Sequence, residues 1–314
     1  YAPAYHTAGE APPTDYTASE MLPKIQAAVR EKFDLEFSWY GGFDYRDWPP
    51  KELRTYSHAP RYLTNNMGLR NRMAILSETF SHDPFYKRVH AANVFIEEIL
   101  EYTYMFGPDM RAINLSADEA VRNSAIGQEK GVQFDMVPLP EPLDLLSYKY
   151  IPFEKEDGDI DFVRSSELVV TEGVQNYNAF IPSLTSRVPA SYIFNGDFTF
   201  LKDKLEEHGI KVNILQADVT YTGEVFVVRG MDKSNVQLNG HENTLLDGEF
   251  QSAKRTFSRG DFIVSLNNRL AYLIFYLLEP QADDGLVFWN LFDEYFVGAL
   301  AADNPVEYPV FKVH

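Results

Sequence analysis

The chain has 314 residues, 45% of them hydrophobic and 14% aromatic, enough for two domains or one large one with a sizeable core. Its net charge of −18, with no basic cluster, argues against nucleic acid as a partner, because phosphate would be repelled. The absence of cysteine excludes disulfides, thiolate metal sites and cysteine nucleophiles, and no apolar run reaches the length of a membrane span.

Residues 1–16 are rich in Pro, Ala and Tyr and read as an extended lead-in. Thr17-Ala18-Ser19-Glu20 fits a capping box, and Leu22, Ile25, Val29 and Phe33 follow at helical spacing. Residues 38–62 are a loop dense in Trp, Tyr and Pro, and 73–77 read as a buried strand. Asp83-Pro84 starts a helix to about residue 104, with Phe85, Val89, Ala92, Ile96 and Leu100 on one face and Gly107-Pro108 as its end. Ser116-Ala117-Asp118-Glu119 caps a short helix. The stretch 131–190 is Pro-punctuated and β-branched, as in irregular β structure.

A strand–helix–strand unit follows over 190–215: a strand at 190–194, a helix at 198–207 closed by His208-Gly209, and a return strand at 210–215. The intervening helix predicts that the two strands are parallel. Residues 217–266 read as a β-ribbon turning at Asn239-Gly240, and an apolar helix at 269–278 stops at Glu279-Pro280.

The segment 64–79 carries the most chemical information. A polar loop leads into a short apolar strand, and Glu78 stands at its end, where an α/β enzyme opens into a cleft. A buried carboxylate there is either satisfied by Arg70, Arg72 or a helix N-terminus, or it takes part in chemistry.

Gly68-Leu69-Arg70-Asn71-Arg72, the apolar strand, Glu78 and the helix opened by Asp83-Pro84-Phe85 together resemble one branch of the zinc metallocarboxypeptidases of carboxypeptidase A/B type. The run from Ala271 to Pro280 and the segment Asp283-Asp284-Gly285-Leu286-Val287-Phe288-Trp289-Asn290 resemble the accessory region of that branch. Tyr1-Ala2-Pro3 resembles the stretch just past the family's last zinc-binding histidine.

The resemblance implies that Glu78 is the general base of peptide-bond hydrolysis, taking a proton from a metal-activated water and returning it to the leaving amine. It implies a substrate-contacting tyrosine before the glutamate, for which Tyr56 is preferred over Tyr62. It also implies a substrate-carboxylate contact from Arg70 or Arg72, with Arg70 preferred. Each has an ordinary alternative: Tyr56 packs beneath the loop, and the arginines hold Glu78 or a backbone carbonyl. A periplasmic or secreted location is implied by the resemblance alone.

The family binds zinc through His-x-x-Glu and a later histidine, all upstream of the glutamate. None of the seven histidines here has Glu three residues on, and only His6 and His58 precede Glu78. A catalytic zinc takes three protein ligands. The expectation is therefore a chain that starts inside a domain, after the zinc site: zinc in the intact parent protein, none in this chain, and no activity from this chain alone.

The expected fold is α/β. Residues 1–112 form the C-terminal portion of a mixed-sheet carboxypeptidase-like domain, and 113–314 form a β-rich α+β accessory region. A truncated sheet would expose apolar surface and favour a homodimer unless the accessory region covers it. The rival reading is a non-catalytic peptide- or glycan-binding protein on a decayed peptidase fold, engaging its ligand through the aromatic 39–62 loop. Asp157-Gly158-Asp159-Ile160-Asp161 departs from a calcium loop at Phe162 and Leu168 and reads as a solvated turn, as does Asp283-Asp284-Gly285. No glycine-rich nucleotide fingerprint follows the strand at 190–194.

Overall fold

A computed structural model describes residues 1–301 and 306–314. The elements in order are β1 (Ala2–Pro3), α1 (Ala11–Tyr16), a π-helical stretch (Thr17–Met21), α2 (Leu22–Phe33), β2 (Glu52–Arg54), α3 (Leu63–Leu69), β3 (Ile75–Leu76) and α4 (Phe85–Ser124). The middle of the chain holds β4 (Glu129–Val137), β5 (Leu143–Glu154), β6 (Ile160–Tyr177), β7 (Ala179–Arg187), β8 (Ser191–Phe194), α5 (Thr199–Glu207) and β9 (Asn213–Ile214). It closes with β10 (Val219–Leu238), β11 (His241–Phe257), β12 (Phe262–Ser265), α6 (Ala271–Leu278), α7 (Asp293–Ala301), β13 (Val306–Glu307) and β14 (Phe311–Val313). The chain is mixed α/β with several sheets.

The largest sheet has seven strands in the order β11-β10-β14-β8-β12-β9, with β13 also on β10. Its core is closed by α6, which is apolar on every side and buried at all eight positions. β10 and β11 form the expected ribbon. Asn239 and Gly240 both take positive φ at its turn, 51° and 84°, as a two-residue hairpin connection requires. β8 and β9 run in the same direction without pairing, because β12 lies between them antiparallel to each. The stretch 131–190 is regular rather than irregular: β5 pairs with β6 and β4 with β7, both antiparallel with register shifts.

The N-terminal elements differ from expectation in three ways. Residues 11–16 are helical rather than extended, since Pro12 and Pro13 in the first turn need no hydrogen-bond partner for nitrogen. Thr17 does not cap a helix start. It lies inside a continuous helical run, and its hydroxyl donates to the Pro13 carbonyl at 2.8 Å. The π turn there shifts the bonding register just ahead of Pro23, which has no N–H to offer.

The second difference is α4, a single 40-residue helix that passes through Pro108 and absorbs the short helix expected at Ser116. Val94, Phe95 and Tyr102 anchor its first half in a small core with α2, and Val121 anchors its end in the main core. Packing at both ends overrides the local breaker. The expected boundary at residue 112 lies inside this helix. Ala8 and Leu69 pack in the main core beside residues 188–310, and β2 runs parallel to β6.

The third is the outward face of α4. Phe85, Val89, Ile96 and Leu100 form a stripe as the periodicity predicts, yet they face solvent; Phe85 is 78% and Leu100 65% exposed. α2 packs on the opposite side of the helix. The strand expected at 73–77 is also shorter and shallower: only Ile75 and Leu76 pair, with Pro3 and Ala2, and both are half-buried.

Candidate functional site

Glu78 lies two residues beyond β3 and is exposed, not buried as expected, because the two-residue strand before it is itself only half-buried. Among the described residues its carboxylate makes no hydrogen bond and no ion pair. The two arginines that stand near it in sequence are committed elsewhere. Arg70 donates from Nε to Asn66 Oδ1 at 2.8 Å and from Nη1 to the His208 carbonyl at 2.9 Å. Arg72 makes a two-pronged pair with Asp118, Nη1 to Oδ1 at 2.9 Å and Nη2 to Oδ2 at 2.8 Å. Asn71 takes φ 60° between them and donates to the Arg269 carbonyl at 2.8 Å and to Asp118 at 3.2 Å. The Arg-Asn-Arg triplet thus ties the segment to α4, α5 and the entry to α6. Glu78 takes no part in these contacts; the charge it acts on is the Tyr1 ammonium, whose burial-lowered pKa it partly restores.

Upstream, α3 is held against the 4–9 loop by close backbone approach. A Cβ on Gly9 would stand 2.8 Å from the Gly68 carbonyl oxygen, and one on Gly68 would stand 2.8 Å from the Ala4 Cβ, so neither position admits a side chain without displacement. Buried Asn65 accepts from the Tyr5 amide at 2.8 Å and donates to the Ser57 and Ala59 carbonyls at 2.9 and 3.2 Å. Tyr56 shares a 2.6 Å hydrogen bond with the Thr64 hydroxyl and packs among Tyr5, Tyr40 and Tyr62 at centroid distances of 5.2, 5.7 and 5.0 Å. Burial raises its phenol above the ordinary tyrosine value.

A polar cluster that sequence reading did not identify lies behind this loop. His58 Nε2 is 3.1 Å from Asp283 Oδ2, across 225 residues of chain. The imidazole packs against Phe134 and Phe180 at 4.6 and 5.1 Å, and the Tyr276 hydroxyl donates to the other oxygen of Asp283. Asp284 accepts from the Arg61 amide at 2.9 Å, from its guanidinium, and from Trp289 Nε1 at 3.0 Å. Burial raises the Asp284 carboxyl despite Arg61. His6 lies 5.4 Å from His58, ring to ring; burial and the neighbouring imidazole lower its pKa well below the ordinary value. The signal in the sequence was two adjacent aspartates just after an apolar run, a costly arrangement unless each has a partner.

The His6–His58–Asp283 grouping does not fit a zinc site. His58 Nε2 faces Asp283, His6 Nδ1 accepts from the Ala8 amide at 3.3 Å, and no group of three or more His, Asp or Glu among the described residues is arranged to hold a metal ion.

The aromatic 39–48 stretch gathers around β5. Phe43, Tyr45 and Trp48 stand 6.1, 5.4 and 5.7 Å from Tyr150. An open groove of about 430 Å³ runs beside them, lined by Trp48, Pro49, Lys149, Val170 and Glu172 among others. No helix among the described residues is long and apolar enough to cross a membrane.

No family model, curated protein or solved structure matches the chain. The class that the fold defines is therefore the coarse one, a mixed α/β protein of several sheets.

Proposed function

We propose that this chain is the C-terminal part of an extracytoplasmic zinc-carboxypeptidase-type hydrolase, with Glu78 as the general base and a peptide as substrate. The observation that carries the reading is the state of Glu78: a carboxylate exposed just past a strand, while the arginines near it in sequence bind Asn66, His208 and Asp118 instead. Two surfaces lend support. β1 and β3 form a sheet of only two strands, and the outer face of α4 is apolar, as expected of elements that a larger sheet would cover.

In this reading Glu78 accepts a proton from the attacking water and returns it to the departing amine. The metal that lowers that water's pKa would be held by residues outside this chain, since those present do not fit it. Both arginines have partners in the folded chain, but Arg72 is held by the Asp118 carboxylate and Arg70 by the neutral groups of Asn66 and His208. Arg70 would therefore be the one to exchange a partner for the substrate carboxylate, with Tyr56 flanking the peptide. The test is the coding sequence upstream of Tyr1, then metal analysis and peptide hydrolysis by any longer product that it encodes. Stoichiometric zinc with release of C-terminal residues is expected; a longer product with neither would overturn the proposal, and so would a gene that encodes none.

The groove beside Trp48 favours a second reading, a peptide- or glycan-binding protein without catalysis. A lining that includes the Trp48 indole together with Lys149 and Glu172 suits apolar ring faces and their hydroxyls. Binding of an oligosaccharide by this chain that is lost in Trp48→Ala would support it.

A further inference from the structure

We propose that Asp283 and Asp284, in the turn after α6, are positioning residues that latch the 56–62 loop and so fix Tyr56 and Tyr62 for the substrate. The substrate side of this inference rests on the carboxypeptidase reading; the latch itself does not.

The two carboxylates divide the work. Asp284 is buried and grips Arg61 twice, at the backbone amide and at the guanidinium, and Trp289 braces it from the other side. A carboxylate that accepts both a main-chain and a side-chain bond from one residue fixes the path of the chain there, not merely a side chain. Asp283 holds His58, while Tyr276 and the Phe134 amide, the latter at 3.2 Å, hold Asp283. His58 and Arg61 bracket Ala59 and Pro60, so both ends of a short span are pinned to one turn.

Tyr62 follows Arg61 directly, with the guanidinium 5.5 Å from its ring centroid, and Tyr62 in turn packs on Tyr56 at 5.0 Å. The latch therefore bears on the tyrosines through contact. Glu78 is outside it. The C-terminal region thereby acquires a role, adding a second set of anchors to a loop that Asn65 already ties at the Ser57 and Ala59 carbonyls.

The test is backbone amide exchange on this chain, comparing wild type with Asp284→Ala and with the milder Asp284→Asn. Amides of residues 57–66 are expected to exchange at least about tenfold faster, with those of α4 between Val94 and Val121 unchanged. Unchanged exchange at 57–66 would overturn the latch, and so would a rise spread evenly over the chain. If Asp284→Ala does not fold, Trp289→Phe removes a single brace and is read the same way. In any longer product that hydrolyses peptide, the same substitutions should raise KM about tenfold with kcat within about threefold. A local rise in exchange with unchanged KM would leave the latch standing and remove its link to substrate. A local rise in a product that hydrolyses no peptide would count against the peptidase reading alone.

Discussion

Arg72 and Asp118, 46 residues apart, meet in a two-pronged ion pair that joins the segment before β3 to the last third of α4. Burial pushes the Asp118 carboxyl up, but the Arg72 and Asn71 hydrogen bonds and the Arg72 charge prevail and hold it below the ordinary carboxylate value. The folded pKa is the lower one, so the stabilisation is present above the unfolded value near 3.8 and is lost as pH falls through the folded value. Asp118→Ala should cost about 1.5–3 kcal/mol in urea unfolding at pH 7, the range for hydrogen bonds to charged groups. The difference from wild type should shrink below about pH 4.

Lys312 and Glu279 form a fully buried pair at 2.8 Å, with the Tyr192 hydroxyl donating to Glu279 and Ser186 accepting from Lys312 at 2.8 Å. Lys312 also lies 4.0 Å over the Phe250 ring. Removing one partner strands a buried charge, so Lys312→Met is expected to cost about 3–5 kcal/mol. Lys312→Met with Glu279→Leu should recover a large part of that. A double variant no more stable than the single one would contradict this description of the pair.

His6 is neutral in the folded chain, its pKa lowered by burial first and by His58 second. Below the unfolded value near 6.5 the unfolded chain takes up a proton that the folded one refuses. Stability should therefore fall from about pH 6.5 downward, by up to about 1.4 kcal/mol per pH unit from this group. His6→Gln should flatten that limb. Urea midpoints between about pH 7.5 and 5 read the slope, and parallel limbs in the two proteins would remove His6 from the explanation.

The outer face of α4 presents Phe85, Val89, Ile96, Leu100 and Tyr104, the last 90% exposed. A stripe of this kind on an isolated chain favours self-association. Light scattering should find this chain larger than a monomer, with Leu100→Glu shifting it towards one. A strictly monomeric wild type would weaken the case that the face is normally covered.

Local rules made part of this molecule legible. Asn239-Gly240 announces its ribbon because only a few residues accept positive φ at a two-residue turn. The strand and helix of the 190–215 unit follow from Gly209 and the apolar runs around it, while the return strand expected over 210–215 shrinks to exposed Asn213–Ile214. α4 was harder. Gly107-Pro108 and Ser116 are stop and start signals in isolation, but two cores, one at Phe95 and one at Val121, hold the helix through them. The stripe from Phe85 to Leu100 has the right period and faces the other way, since periodicity marks a face without saying which neighbour it meets.

The candidate site divides in the same manner. Glu78, Arg70, Arg72 and Tyr56 stand within one short stretch and could be named from it. The partners that decide what the arginines do, Asp118 and His208, lie 46 and 138 residues away. The latch joins His58 and Arg61 to aspartates more than 220 residues on, and nothing local marks that pairing.

The proposed role of Glu78 as general base is tested most directly by turnover of the longer, zinc-binding product that the proposal requires, carrying Glu78→Gln, a change that keeps the side chain's shape and removes its basicity. A loss of about 10²–10⁴-fold in kcat is expected, the usual contribution of a general base, with zinc content and melting temperature as in the parent. A variant that hydrolyses peptide at the parent's rate would contradict the assignment.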